Sequence, residues 1–168
     1  IPPSITGYRT DLMLKNMAQK LGVEIIEKAH VIGANLKDGQ CIEVLSQGFD
    51  KVRSYKADNF ILATGGVFGN GLISQMGRMY EPIFNIEIKV PKNQQDWSYK
   101  YLFTGKPQPF ATYGITTDQS LRPIKEGKLL LKNVYVIGRA LSGYDFCYEK
   151  SGNGVAICSA YHAASCLE

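Results

Sequence analysis

The residues of this sequence whose types and spacing could do chemistry are glycines that end apolar runs. Near the C-terminus an apolar run at 134–137 stops at Gly138. A loop carrying Arg139, Ser142 and Gly143 follows, and Gly152, Asn153 and Gly154 then open a small-residue stretch that reads as a helix. A strand, a glycine turn and a glycine-started helix offer a ligand bare backbone N–H groups and the positive end of a helix dipole. Such a place suits a phosphate, or the electron-rich carbonyl edge of a planar ring such as a flavin. The same glycines would also serve close helix packing, and this stretch alone fits either role. A second apolar run at 60–64 ends in Thr64, Gly65 and Gly66. Two glycine-ended strands far apart in one chain suggest two passes of the chain beside one ligand.

A polar cluster lies between these two runs. Thr116, Thr117, Asp118 and Arg122 share one short segment flanked by apolar anchors. The planar donor fork of Arg122 matches a phosphate or carboxylate. Equally, Asp118 could cap the loop and pair with Arg122, leaving the segment a structural turn.

Other chemistries find little support. His30 and His162 are the only imidazoles; one sits on a strand and the other on a helix face, and neither reads as a general base. No catalytic residue can be named. There is no G-x-S-x-G elbow and no phosphate loop, so hydrolase and nucleotide-triphosphatase readings lapse. The glycines at 65–71 lack the G-x-G-x-x-G spacing. Cys41, Cys147, Cys158 and Cys166 form no C-x-x-C pair and read as free thiols, and no metal-ligand set is visible.

The elements that must position these residues follow from periodicity. Residues 10–21 carry a helical apolar stripe closed by Gly22. Strands are expected at 23–29, 30–36 and 41–47, with a hairpin turn at Asp38 and Gly39. A polar turn is expected at 48–54, a short helix at 73–78 and a strand at 81–90. Trp97, Tyr99, Tyr101 and Phe103 alternate within a loop-like stretch and suit a core or an interface more than a ligand platform.

The 168 residues suffice for one ordinary domain, and 45% apolar with 20% charged residues is the balance of a globular protein. A net charge of +4, with lysines and arginines scattered, gives no nucleic-acid track. No apolar run is long enough for a membrane span and no signal peptide is seen. The sequence opens without methionine, and its last two residues match the dipeptide often left by a cloning site. The expectation is a piece of a longer protein, with 167–168 set aside.

The strand ending in Thr64, Gly65 and Gly66, together with the late run at 133–143, resembles the flavoproteins built on two dinucleotide-binding domains. Gln108 to Phe110, Tyr113 to Asp118, Leu121 to Pro123, the 133–143 run and Gly152 to Gly154 resemble, in order, the C-terminal half of the B subunits of anaerobic glycerol-3-phosphate dehydrogenases. The match spans about 60–164. The resemblance implies an α/β fold: part of a two-dinucleotide-binding-domain flavoprotein, with a small β-meander at about 23–64, a substrate-side segment at about 67–132, and a flavin-binding strand and C-terminal helix at about 133–166.

It further implies a flavin, FMN with FAD as the alternative, bound by Thr64, Gly65, Gly66, Gly138, Arg139, Ser142, Gly143, Gly152, Asn153 and Gly154. Thr116, Thr117, Asp118 and Arg122 would face the substrate. Members often carry an acidic residue where Arg139 stands, and this departure leaves the polar anchor open between a ribityl hydroxyl and a phosphate. The implied partners are a sister catalytic subunit, which carries out most of the substrate oxidation, and an iron–sulfur subunit that anchors the complex. That would place a cytoplasmic protein against the inner membrane through its partner. The implied reaction is quinone-linked oxidation of glycerol 3-phosphate to dihydroxyacetone phosphate. A piece lacking the N-terminal half is expected to bind flavin weakly and to be inactive alone. Two other readings remain: a fumarate-reductase-like FAD enzyme, and a flavin-free module that binds a sister subunit.

Overall fold

The computed structural model describes residues 4–101 and 105–167, so Phe103 of the aromatic stripe and the first and last residues lie outside the described residues. Helix α1 (Ile5–Lys20) starts at Ser4, whose hydroxyl accepts the Gly7 N–H at 2.9 Å, and it ends at Gly22 in the left-handed region. None of its side chains is buried, and the expected apolar stripe is exposed at Leu12, Leu14, Met17 and Leu21. Residues 23–29 form no strand.

A three-stranded antiparallel meander follows: β1 (His30–Lys37), β2 (Gln40–Gln47) and β3 (Val52–Lys56). The turn at Asp38 and Gly39, both with positive φ, is the one expected from the Asp-Gly pair. Strand β3 occupies part of the expected polar turn. Its side chains are mostly exposed, so backbone pairing to β2, rather than burial, makes it a strand.

Strand β4 (Phe60–Leu62) comes next, then a second antiparallel meander of β5 (Ile73–Gln75), β6 (Arg78–Glu81) and β7 (Ile86–Ile88). The helix expected at 73–78 is instead a hairpin. Met76 and Gly77 both adopt positive φ (50° and 78°), which a helix does not allow. The strand expected at 81–90 is interrupted by a turn held by Glu81. That buried carboxylate accepts the Ile83 and Phe84 N–H groups, each at 2.8 Å. Burial pushes its carboxyl above the ordinary range, against the pull of those two donors.

A small hairpin, β8 (Ile124–Lys125) and β9 (Lys128–Leu129), precedes β10 (Val134–Val136), and α2 (Gly152–Ser165) closes the chain. Strand β10 pairs in parallel with β4, Val134 opposite Phe60 and Val136 opposite Leu62. The three residues of β10 are all buried, and its valines join Leu62, Leu72, Met79, Ile86, Ile88 and Ile115 in the core. All-buried β10 fits its unbroken apolar sequence.

Asn133 links this pair to the first meander. Its side-chain amide donates to the carbonyls of Cys41 (2.8 Å) and Asp58 (2.9 Å), and its oxygen accepts the Cys41 N–H at 2.8 Å. Its own carbonyl accepts the Phe60 N–H at 2.9 Å. Replacing Asn133 with Ala would strand backbone groups of buried Cys41 and cost roughly 2–4 kcal/mol. Asn133→Asp should be no better, because a carboxylate has no donor for the two carbonyls. Denaturant unfolding of both variants checks this. An unchanged midpoint would show that β4 and β10 meet without this side chain.

Candidate functional site

Parallel strands deliver their following loops to the same end of a sheet, so β4 and β10 bring the two glycine turns together. The contact is close: a Cβ added to Gly66 would lie 3.1 Å from the Arg139 carbonyl oxygen. The 64–71 turn folds back on itself, with the Gly66 carbonyl accepting the N–H groups of Gly69 and Gly71, each at 3.1 Å. A Cβ on Gly71 would collide with the Gly65 carbonyl oxygen and lie 2.6 Å from that of Thr64. Gly65 itself has φ +84°, with open space where a Cβ would stand.

The 138–143 loop is held from two directions. On one side the 114–117 segment runs alongside it: the Ile115 N–H donates to Ala140 O at 2.7 Å, and the Ser142 N–H to Ile115 O at 3.2 Å. Gly114 permits this approach, since its Cβ would sit 2.5 Å from the Leu141 carbonyl. On the other side lies α2. The Gly138 N–H donates to Ser159 Oγ at 2.9 Å, and Ser159 in turn donates to Val155 O at 2.6 Å. Gly138 (φ +62°) lies 3.9 Å, measured from its missing Cβ, from Ala156. The Gly143 N–H (φ +92°) donates to Thr112 O at 2.9 Å.

Helix α2 starts without a side-chain cap. The hydroxyl of Ser151 makes no capping bond, and Val155 is the residue whose N–H returns to Ser151 O at 2.9 Å. The N–H groups of Gly152, Asn153 and Gly154 therefore lie ahead of the helix's own ladder. Asn153 and Gly154 are exposed, and no atom lies within 4 Å of a Cβ built on Gly154. Gly152 packs on Phe146. The Arg139 guanidinium lies over that same ring, 3.1 Å from its centroid, which places a fixed cation beside the helix start.

Between the two turns is a cavity of about 20 Å³, walled by Gly66, Phe68, Phe110, Tyr113, Arg139 and Phe146. That volume suits a single water and not a ring. Open space lies separately at Gly65 and at Gly154. Trp97 meets Tyr113 edge-on at 6.1 Å and donates its indole N–H to Pro91 O at 2.8 Å, so part of the aromatic stripe is core. Burial pushes the Tyr113 phenol up, and its hydroxyl is buried without a hydrogen-bond partner among the described residues.

The polar cluster resolves into a pair. Asp118 Oδ2 accepts Arg122 Nε at 2.9 Å and Nη2 at 2.8 Å, while Oδ1 accepts the N–H groups of Ser120 and Arg122. Thr117 bridges to Pro123 across this turn, whereas Thr116 is exposed and faces a separate groove. His162 Nε2 lies 2.7 Å from Gln119 O, a structural contact to the same turn.

Four positioning residues escaped the sequence reading as parts of the site: Gly71, Gly114, Gln108 and Asp145. Asp145 Oδ2 accepts the Gln108 N–H at 3.0 Å, and its Oδ1 accepts those of Cys147 and Tyr148. The Gln108 side chain accepts from Tyr99 N at 3.0 Å and donates to Tyr101 O at 2.8 Å. Glycine and amide residues announce their types but not what lies across from them.

Among known proteins, residues 1–155 match the family described as FAD binding domain. The chain belongs to that family. It is 34% identical, over 164 residues, to the B subunit of anaerobic glycerol-3-phosphate dehydrogenase of Yersinia pestis bv. Antiqua (strain Antiqua), covering 98% of this chain and 38% of that protein. The subunit of the same name from Vibrio cholerae serotype O1 is 33% identical over 166 residues, 97% of this chain and 37% of the relative. The chain thus spans less than two-fifths of the length of the curated relatives it matches. No solved structure matches it. The structure is a mixed helix and strand fold of an FAD-binding family, and among the described residues no helix is long and apolar enough to cross a membrane.

The backbone contact at Gly114 gives a direct test of how the loop is held. Gly114→Ala should lose about 1–3 kcal/mol, because the clash is with backbone and not with a movable side chain. Hydrogen exchange at the amides of Ile115 and Ser142 should quicken in the variant. Unaltered exchange would mean that the two segments do not depend on their close approach.

Proposed function

We propose that this chain is the part of a flavoprotein oxidoreductase subunit in which two glycine turns and a helix start receive the flavin. The observation that supports it most is the parallel pairing of β4 with β10, which sets the 64–71 and 138–143 turns side by side in a chain of the FAD-binding family. The residues fit the group. The uncapped N–H groups of Gly152, Asn153 and Gly154, with open space at Gly154, would meet the carbonyl edge of the ring. Arg139, Ser142 and Gly143 would hold its ribityl or phosphate part, and Thr64, Gly65 and Gly66 its remaining phosphate or adenosine part. The flavin, when bound, supplies hydride and single-electron chemistry. The protein's own residues orient it and exclude water.

Within that class the names of the relatives favour a B subunit of anaerobic glycerol-3-phosphate dehydrogenase. The full reading is oxidation of glycerol 3-phosphate to dihydroxyacetone phosphate, with electrons relayed through this subunit's flavin towards quinone. A sister catalytic subunit and an iron–sulfur anchor subunit would complete the complex at the cytoplasmic face of the inner membrane. The flavin is FMN in this reading. Thr116, Thr117, Asp118 and Arg122 would lie on the substrate side, with the pair of Asp118 and Arg122 fixing the guanidinium's direction.

The test is to release and identify the flavin from the full-length protein and from its Gly154→Val variant. FMN in the wild type, falling at least tenfold in occupancy in the variant, is the expected outcome. FAD would move the protein to the broader reductase-like flavoenzymes. A colourless wild type would sink the flavin reading in favour of a subunit-binding module.

A further inference from the structure

Among the described residues one buried side-chain polar atom makes no hydrogen bond, the hydroxyl of Tyr113. Folded proteins rarely leave such a group unpaired, because it has given up water and gained no partner in return. Its neighbours on the Trp97 side do not answer it. Trp97 meets the ring edge-on at 6.1 Å, but its indole N–H goes to Pro91 O and the indole has no acceptor to offer. Asp96 is exposed. Burial, and after it the charge of Asp96, pushes the phenol up, so the hydroxyl stays protonated near neutral pH and has a hydrogen to give.

Tyr113 borders the cavity of about 20 Å³ between the two glycine turns. A water needs roughly 10–15 Å³ and about three polar partners. The space suffices, and the lining supplies the partners. Arg139, on the same wall, is stacked on Phe146 and forms no ion pair among the described residues, so no carboxylate takes its N–H groups. Tyr144 lines the cavity as well, and its hydroxyl gives its hydrogen to Gly138 O at 3.1 Å. That leaves the Tyr144 oxygen as an acceptor. Burial pushes the Tyr144 phenol up and the Arg139 charge pulls it back, so these two groups are within electrostatic reach of each other. Val67, Phe68, Phe110 and Leu141 complete the wall with apolar side chains.

We propose that this cavity binds one water molecule, which accepts hydrogen bonds from the Tyr113 hydroxyl and the Arg139 guanidinium and donates one to the Tyr144 oxygen. Two donors and one acceptor are the complement of a single water. The water joins the 113–118 segment to the 138–143 turn through side chains, alongside the backbone bonds at Ile115 and Ser142. It gives Arg139 a second hold besides the Phe146 ring, and Tyr113 becomes a positioning residue for that cation. The proposal stands on the cavity and its lining, and it holds whether or not a flavin binds.

The experiment is to determine crystal structures of the full-length protein and its Tyr113→Phe variant, with denaturant unfolding of both. Tyr161→Phe, at an exposed tyrosine, is the control for loss of a hydroxyl. The wild type should show one ordered solvent peak within hydrogen-bond distance of Tyr113 Oη, and the variant should lose that peak or show it displaced. Arg139 should lose its single position over Phe146 in Tyr113→Phe. The folding equilibrium constant should fall about fivefold or more in Tyr113→Phe and change less than about twofold in Tyr161→Phe. The direction decides the matter, because removing a hydroxyl that truly lacks a partner stabilises a protein. A Tyr113→Phe variant as stable as the wild type or more so would overturn the proposal. So would a wild-type cavity without a solvent peak, or the Asp96 carboxylate found on the Tyr113 hydroxyl.

Discussion

The two glycine turns meet through a parallel contact between two three-residue strands. Strands β4 and β10 are separated by more than 70 residues of chain, and a pair so short is not stable by its own ladder. Three things hold it. The core residues of both strands pack with Leu72, Met79 and Ile115. The β10 N–H of Val136 reaches Leu121 O at 2.8 Å, giving the strand a partner on its other edge. Asn133 then fixes the register from the strand's entrance, with three side-chain hydrogen bonds that also locate the first meander. An amide suits this position because it must donate twice and accept once, which neither a carboxylate nor a hydroxyl can do. Once the register is fixed, the exits of both strands are fixed with it, and the glycine turns meet without any contact between reactive side chains.

That constraint explains why the two turns are held mostly by backbone contacts. Gly66, Gly71 and Gly114 each face a carbonyl at a distance that excludes or crowds a Cβ, so the turns are defined by close main-chain approach. Gly154 differs: open space surrounds it, and packing does not account for its lack of a side chain. Gly66, Gly71 and Gly114 are held by close main-chain packing, whereas no atom stands within 4 Å of a Cβ built on Gly65 or Gly154.

Much of the scaffold was legible in the sequence because it depends on local chemistry. The Asp38-Gly39 turn, the stop of α1 at Gly22 and the small-residue start of α2 are each set by a few neighbouring residues. The misread elements were decided by the strands they pair with and not by their own periodicity or burial. Strand β3 buries almost nothing and exists because β2 offers it a ladder. The 73–78 stretch has helical spacing, yet Met76 and Gly77 turn it back so that Met79 can be buried opposite Ile88. In the site, the glycine turns were readable as types, but the pairing of Arg122 with Asp118 was one of two open readings. Spacing permits the pair; only the turn through Ser120 and Leu121 (φ 64°) brings Nε and Nη2 of the guanidinium onto the carboxylate.

The proposed reading asks for no acid–base pair among these residues. A protein that presents a redox ring needs donors, a cation and a cover, and these are supplied by amides, Arg139 and aromatic rings more readily than by an acid–base pair. Arg139 illustrates the division. Stacked on Phe146 beside an uncapped helix start, it adds positive charge where the helix dipole already places some. Two like-signed sources held together in this way favour an electron-rich or anionic neighbour and resist a cationic one. On the proposed reading, the polarity beside the start of α2 is set by backbone direction and one guanidinium.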